Sequence, residues 1–266
     1  MDIFSSKRFS DIYEKVKDQP RLSEIPRIEF PSKKEFLNVL APAGYPFIST
    51  IPNNAFRSWD QVRKIFKKYS EAKLKVRTGE YYRPENYRDR REYVDVTLQE
   101  YLEKIFSDKV DGFYAGNQPL PVSLWDELTL SYPDFYPRSD YEPPAFWLGP
   151  RGSITPLHKD SADNFAFHLL GRKKWLIYPV KDARHLYMKR AMDRPGSDFA
   201  PSDVDLTKPD LEKFPEINNA MQVSVVVEAG EVLYLPAGWG HFVENLEPSL
   251  MVNLWVSLNA HEPAVL

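Results

Sequence analysis

From residue 111 onward, apolar residues come in short runs, each closed by a turn signal. "GFYAG", "AFWLGPRGSITPLHKD", "NFAFHLLGRKKWLIYPV", "QVSVVVEAGEVLYLPAGWGHFVENL" and "SLMVNLWVSL" succeed one another. Runs of this length, rich in β-branched and aromatic residues, suit strands rather than helices. Val223, Val225 and Val227 alternate, "EAGE" turns the chain, and "VLYLP" resumes. Regular short strands with turns between them point to a sandwich or barrel. The 23 prolines and 14% aromatic residues agree with many strands and turns better than with a helical bundle. Residues 181–222 interrupt the pattern with polar, proline-bearing sequence and read as a long insertion. The expectation is a mainly β fold, with a barrel over 111–266.

Residues 1–110 read as a helix and strand elaboration packed on that barrel. Phe9, Ile12, Tyr13 and Val16 have helical spacing. Ser32 with Glu35, Ser58 with Gln61, and Thr97 with Glu100 each form a capping-box pattern ahead of apolar residues. "YPFISTI" and "KLKVRTG" read as short strands, the second half-exposed. Arg77 to Arg91 interleaves Arg77, Arg83, Arg88, Arg90 and Arg91 with Tyr81, Tyr82, Tyr87 and acids. Arginines and stacking aromatics can track a nucleic-acid backbone. The admixed acids favour a solvated loop with local ion pairs, or a loop that covers a peptide substrate.

Composition narrows the function. The formal net charge is −3, so the total gives no sign of a nucleic-acid or anionic-membrane partner. There is no cysteine, which removes disulfides, thiolate metal sites, a cysteine nucleophile and iron–sulfur clusters together. Any metal must be held by His, Asp and Glu. No run approaches the roughly 18 apolar residues of a membrane span. "MDIFSSKRFSDIYEKVKDQ" lacks the apolar core of a signal peptide. The expected location is the cytoplasm, or the nucleus in a eukaryote.

With only 5 histidines in 266 residues, "TPLHKDSADNFAF" places His158 two residues before Asp160. On an extended segment both side chains face the same way and can approach one ion. An ordinary surface strand looks the same. His241, in "YLPAGWGHFVEN", follows a strand, a proline and a Gly-Trp-Gly turn. Two histidines and one carboxylate can form the facial triad of a non-haem Fe(II), with open positions for other ligands. A packed turn histidine is the alternative for His241.

The order of motifs goes further. His158-x-Asp160, then Asn164, then Gly171-x-Lys173, then "PAGWGH" and Asn253-x-Trp255 resembles the JmjC-type 2-oxoglutarate-dependent oxygenases of the cupin superfamily. The likeness is to the small JmjC hydroxylases, among them the asparaginyl hydroxylase that inhibits hypoxia-inducible factor. It is specific from about Tyr114 to Ser257 and looser before that. The resemblance implies a double-stranded β-helix, a squashed jelly-roll barrel. It implies Fe(II) held by His158, Asp160 and His241, with 2-oxoglutarate chelating the iron through its keto-acid end and O2 as oxidant. Lys173 would take the far carboxylate, with Thr155 and Tyr114 as hydroxyl partners. Asn164 and Asn253 would orient ligands or co-substrate. Alternation points Lys174 away from the pocket that Lys173 faces. Trp239 and Trp255 read as wall packing, and His168 as a satisfied core histidine.

The activity implied is hydroxylation of an unactivated C–H, on an amino-acid side chain of a protein or peptide. N-methyl-lysine demethylation uses the same iron chemistry; it ranks lower because no cysteine-based zinc module accompanies this sequence. Hydroxylation of a small molecule or a peptide natural product is not separated from protein hydroxylation. A non-catalytic cupin that binds a partner would be marked by a broken triad or a missing Lys173, and both are intact. The loop at 77–91 and the insertion at 181–222 are expected to flank the barrel mouth and shape substrate choice. The oligomeric state is open, although "VSLNAHEPAVL" leaves no room for a dimer built on C-terminal helices.

Overall fold

The computed structural model describes residues 7–52, 58–89, 92–106, 112–120, 122–128, 130–189 and 199–256. Its strands, in chain order, are β1 (Phe47–Thr50), β2 (Lys73–Arg77), β3 (Tyr93–Thr97), β4 (Ala115–Pro119), β5 (Ala145–Gly149), β6 (Ile154–Lys159) and β7 (Asp163–Leu170). They continue with β8 (Lys173–Tyr178), β9 (Ala200–Pro201), β10 (Val223–Val227), β11 (Glu231–Leu235), β12 (Gly240–Asn245) and β13 (Ser249–Val256). A six-stranded sheet runs β1-β11-β7-β13-β5-β4, and a five-stranded sheet runs β10-β8-β12-β6-β9. All of these pairings are antiparallel. The two sheets face each other as the halves of a jelly roll, and this is the cupin fold. β2 and β3 form a separate ribbon.

Alternation along each strand sorts side chains into layers. On β13, Leu250, Val252 and Leu254 pack outward, whereas Met251, Asn253 and Trp255 face the barrel interior. On β7, Phe165 and Phe167 point outward and Ala166 points inward. The outward face of the large sheet is covered by N-terminal helices, which contribute Phe36, Val62, Phe66 and Tyr101. Phe36 stacks on Phe135 with ring centroids 4.1 Å apart. The outward face of the small sheet carries Leu157, Tyr178 and Phe242. Leu186, Met188, Val204, Phe214 and Ile217 from the described parts of 181–222 cover it. Each sheet thus buries its outer face under its own cover, and the space between the sheets holds a second apolar cluster together with the polar groups of the site.

The N-terminal helices start where their caps stand. Thr97 Oγ1 accepts from the Glu100 N–H at 3.1 Å, and the Glu100 carboxylate accepts from the Thr97 N–H at 2.8 Å. Ser58 and Gln61 form the same reciprocal box ahead of Trp59–Phe66. At Ser32 only the hydroxyl half forms. The helix it starts passes through a wide turn over Phe36–Leu40. Arg77 to Arg91 is not one loop: Arg77 is the last residue of β2, and Pro84–Asp89 is a short helix. The residues after Val256 lie outside the described ones, as does the expectation about C-terminal dimerisation.

Candidate metal centre and its cavity

His158, Asp160 and His241 meet. One ligand atom from each lies within 4.8 Å of the others. His158 Nε2 is 3.8 Å from Asp160 Oδ1, and His241 Nε2 is 3.9 Å from Asp160 Oδ2. His158 and His241 stand opposite each other on the paired strands β6 and β12. Their rings are 4.1 Å apart, centre to centre. The chain turns just after β6, where the Gly238 N–H donates to the Asp160 carbonyl at 3.0 Å.

Each imidazole is oriented by backbone. His158 Nδ1 lies 2.8 Å from the Pro156 carbonyl, and His241 Nδ1 lies 3.2 Å from that of Trp239. A carbonyl only accepts, so Nδ1 carries the proton in both rings and Nε2 presents its lone pair to the cluster. Burial, with the neighbouring His241 adding to it, pushes His158 down to about 3. Burial likewise pushes His241 below its ordinary value. Both rings are neutral at pH 7, the form that ligates a metal. Asp160 Oδ2 accepts from Trp255 Nε1 at 3.2 Å. Trp255 therefore does more than wall packing. Trp239, by contrast, donates to the Gly44 carbonyl and packs in the barrel core.

The triad opens into a solvent-connected cavity, whose empty space, open solvent at its mouth included, is about 520 Å³. Tyr114, Thr155, Asn164 and Asn253 all line it. Asn253 Nδ2 donates to Asn164 Oδ1 at 2.8 Å, while Asn253 Oδ1 is buried without a partner among the described residues. Tyr114 is fully buried and hydrogen-bonds to Thr155; burial raises its pKa despite that bond. Thr155 and His158 both face inward although three residues apart. The pairing of β6 with β12 slips between them, where Val243 faces Thr155 and His241 faces His158. The added residue is a bulge on β6.

Lys173 is completely buried between the sheets. Its Nζ donates to Asn245 Oδ1 at 2.6 Å and lies 5.8 Å from the Tyr114 ring centre. Among the described residues no carboxylate pairs with it, and burial pulls its pKa down to about 7. Lys174, one residue on, is only partly buried. Asn245 is a site residue that motif reading missed. It faces inward with His241 and Val243, so counting by twos from His241 would have found it. Its Nδ2 donates to the Gly149 and Pro150 carbonyls. Gly149 has no room for a side chain: a Cβ would sit 2.6 Å from the Tyr114 ring. His168 is buried beside Lys173, as a core histidine would be, but among the described residues its Nε2 has no hydrogen-bond partner.

Tyr87 from the short helix and Phe199 from the insertion also reach the cavity. Their rings lie 5.9 and 5.3 Å from that of His158. Asn117, held at φ +55° where β4 slips against β5, lines it from the other side.

A jelly-roll barrel with two histidines and a carboxylate at its open end defines the cupin class with a candidate metal centre. Residues 45–259 match the family described as the Cupin-like domain, and the chain belongs to that family as a cupin-like JmjC domain protein. It is 31% identical over 185 residues to human HSPB1-associated protein 1, covering 62% of this chain and 38% of that protein. It is 27% identical over 273 residues to zebrafish (Danio rerio) lysine-specific demethylase 8, covering 96% of this chain and 63% of that protein. It is 37% identical over 106 residues to JmjC domain-containing protein D of Dictyostelium discoideum, covering 40% of this chain and 23% of that protein. The chain spans well under half the length of the HSPB1-associated proteins it matches. Among the described residues no helix is long and apolar enough to cross a membrane.

Proposed function

We propose that this chain is an Fe(II)- and 2-oxoglutarate-dependent dioxygenase that hydroxylates an unactivated C–H of a residue in a protein or peptide. The observation that carries the reading is a complete His-Asp-His cluster in one cavity, with a buried lysine beside the Tyr114 ring of its wall that has no acidic partner among the described residues. Both halves fit the missing groups. The two Nε2 atoms and Asp160 offer three donors on one side of a divalent ion, as a facial triad does. Lys173 has a buried ammonium matched only by an amide, a costly arrangement that a dicarboxylate completes.

His158, Asp160 and His241 would hold Fe(II). Lys173 would take the far carboxylate of 2-oxoglutarate, with Thr155 and Tyr114 beside it. The metal and co-substrate together supply oxidation: O2, 2-oxoglutarate and R–H become R–OH, succinate and CO2. The protein's part is to keep the imidazoles in one tautomer, to hold Asp160 against Trp255, and to seat the substrate C–H near the metal's open face. Phe199 and Tyr87, whose rings stand beside that of His158, would limit water at the metal ligands. Demethylation is raised by the name of one relative, but the cavity wall carries a buried guanidinium, Arg77, which opposes a methylammonium. Succinate release from 2-oxoglutarate tests the reading. Wild type with Fe(II) and ascorbate is expected to release succinate, His158→Ala is not, and Lys173→Ala is expected to need about tenfold to a hundredfold more 2-oxoglutarate. Absence of release from metal-loaded wild type across a broad peptide library would favour a non-catalytic binding module instead. Peptides that gain one oxygen, captured from lysate on an inactive metal-substituted form, would identify the substrate.

A further inference from the structure

Arg77 is only 3% exposed, yet it lines the cavity. Among the described residues its guanidinium Nε and Nη1 are buried with no hydrogen-bond partner. The backbone fixes its place: Arg77 and Tyr114 exchange both N–H···O bonds across an antiparallel bridge, at 2.9 and 3.1 Å. The guanidinium then lies among three aromatic rings, 5.2 Å from Tyr87, 5.9 Å from Tyr114 and 5.5 Å from Trp147. Gly116 makes the room, since a Cβ there would come within 3.3 Å of the Arg77 Cζ. Ring faces soften the burial of a cation but leave its N–H groups without acceptors. A buried guanidinium with two of its three nitrogens unpaired is a costly feature for a fold to keep. Here it sits one ring, that of Tyr87, away from the metal ligand His158.

We infer that Arg77 is the substrate anchor, and that the residue hydroxylated carries or adjoins a carboxylate which Arg77 binds through its free N–H groups. This rests on the oxygenase reading. The charges around the cavity favour an anion. Asp160 is the sole acidic side chain lining the cavity among the described residues, and it belongs to the triad. A divalent metal is matched by the two charges of 2-oxoglutarate, and Lys173 by Asp160. One positive charge, that of Arg77, is left over. A guanidinium fork also matches a carboxylate bidentately, which fixes the substrate's orientation as well as its charge. Asn117, exposed at the mouth on its slipped strand, offers an amide beside this anchor.

The test is binding of capped single residues (N-acetyl, N-methylamide forms of Asp, Glu, Asn, Gln, Lys and Arg) to protein saturated with Mn(II) and 2-oxoglutarate. Saturation keeps acids off Lys173. Wild type is expected to favour an acid over its amide isostere by about tenfold or more, the worth of a bidentate charge-assisted contact. Arg77→Gln is expected to erase that preference and Arg77→Lys to keep part of it, with 2-oxoglutarate affinity unchanged in both. No acid-over-amide preference in wild type, including no detectable binding by any acid, overturns the inference whether or not the variants fold. Loss of 2-oxoglutarate affinity in Arg77→Gln also overturns it, by making Arg77 a co-substrate group. If wild type binds neither Mn(II) nor 2-oxoglutarate, the oxygenase reading fails by itself. An Arg77-dependent acid preference in the metal-free protein would then stand apart from it.

Discussion

Replacing Lys173 by Met should raise the stability of the ligand-free protein and weaken its grip on 2-oxoglutarate. Lys173 is buried completely and its pKa falls from 10.5 to about 7. At 1.36 kcal/mol per pH unit, holding the charged side chain there costs on the order of 4 kcal/mol at pH 7. Removing Nζ also strips Asn245 Oδ1 of its donor, a loss of about 1–3 kcal/mol. The net is a gain of about 1–3 kcal/mol, or several degrees in Tm for a chain of this size. The pH dependence has a definite sign. The folded state binds this proton less tightly than the unfolded state, so the penalty is complete below about pH 7 and fades as pH rises toward 10.5. The Met variant's advantage should therefore be largest near pH 7 and shrink by pH 10. Affinity moves the other way: losing a charge-assisted bond worth roughly 1.5–3 kcal/mol weakens 2-oxoglutarate about tenfold to a hundredfold. The assays are thermal unfolding at several pH values and calorimetry with Mn(II) in place of iron. Lys174→Ala, on the partly buried neighbour, should change neither. A Met variant that is destabilised yet binds 2-oxoglutarate as tightly as wild type would refute the reasoning.

Two further outcomes are expected. Burial holds His158 near 3 against 6.5 when unfolded, so the folded state declines a proton that the unfolded state accepts as pH falls below 6.5. Metal-free protein should lose about 2 kcal/mol through this group between pH 6.5 and 5. His158→Gln should flatten that slope in urea titrations; an unchanged slope would show that His158 is not buried neutral. Gly149→Ala drives a methyl to 2.6 Å from the Tyr114 ring and 2.9 Å from Asn245 Nδ2. It should cost about 1–3 kcal/mol in stability and weaken 2-oxoglutarate without altering Mn(II) affinity, and equal loss of both would dissociate Gly149 from the lysine end of the cavity.

The strand texture after residue 111 was legible because two covered sheets impose alternation on almost every run. The triad was legible because its two halves keep a fixed local shape: an extended His-x-Asp and a histidine opening a strand after a glycine turn. Alternation also separated Lys173 from Lys174, since nothing disturbs β8. What stayed hidden were residues whose role depends on pairing across the sheet. Trp255 looked like packing until β13 brought its indole N–H to Asp160. Arg77 was lost in a charge pattern. Averaged over residues 77–91, basic and acidic groups suggest a solvated loop, and the exposed Glu80–Arg83 pair is of that kind. Arg77 itself ends a strand, and its burial follows from a bridge to Tyr114 that lies 37 residues away in sequence.

Pro156 shows how local chemistry joins the two ends of the cavity. On a regular strand, Thr155 and His158 would face opposite sides, and only one of them could line the cavity. One added residue on β6 between their partners Val243 and His241 turns both inward. Proline suits such a place because it has no N–H for the disturbed ladder to leave unpaired. Its carbonyl is then free of the regular pattern and accepts from His158 Nδ1 at 2.8 Å, which sets the tautomer that presents Nε2. The same bulge thus aligns the hydroxyl that adjoins Tyr114 with the imidazole that adjoins Asp160, so the order Thr-Pro-x-His brings a hydroxyl and a candidate metal ligand to one cavity wall in four residues.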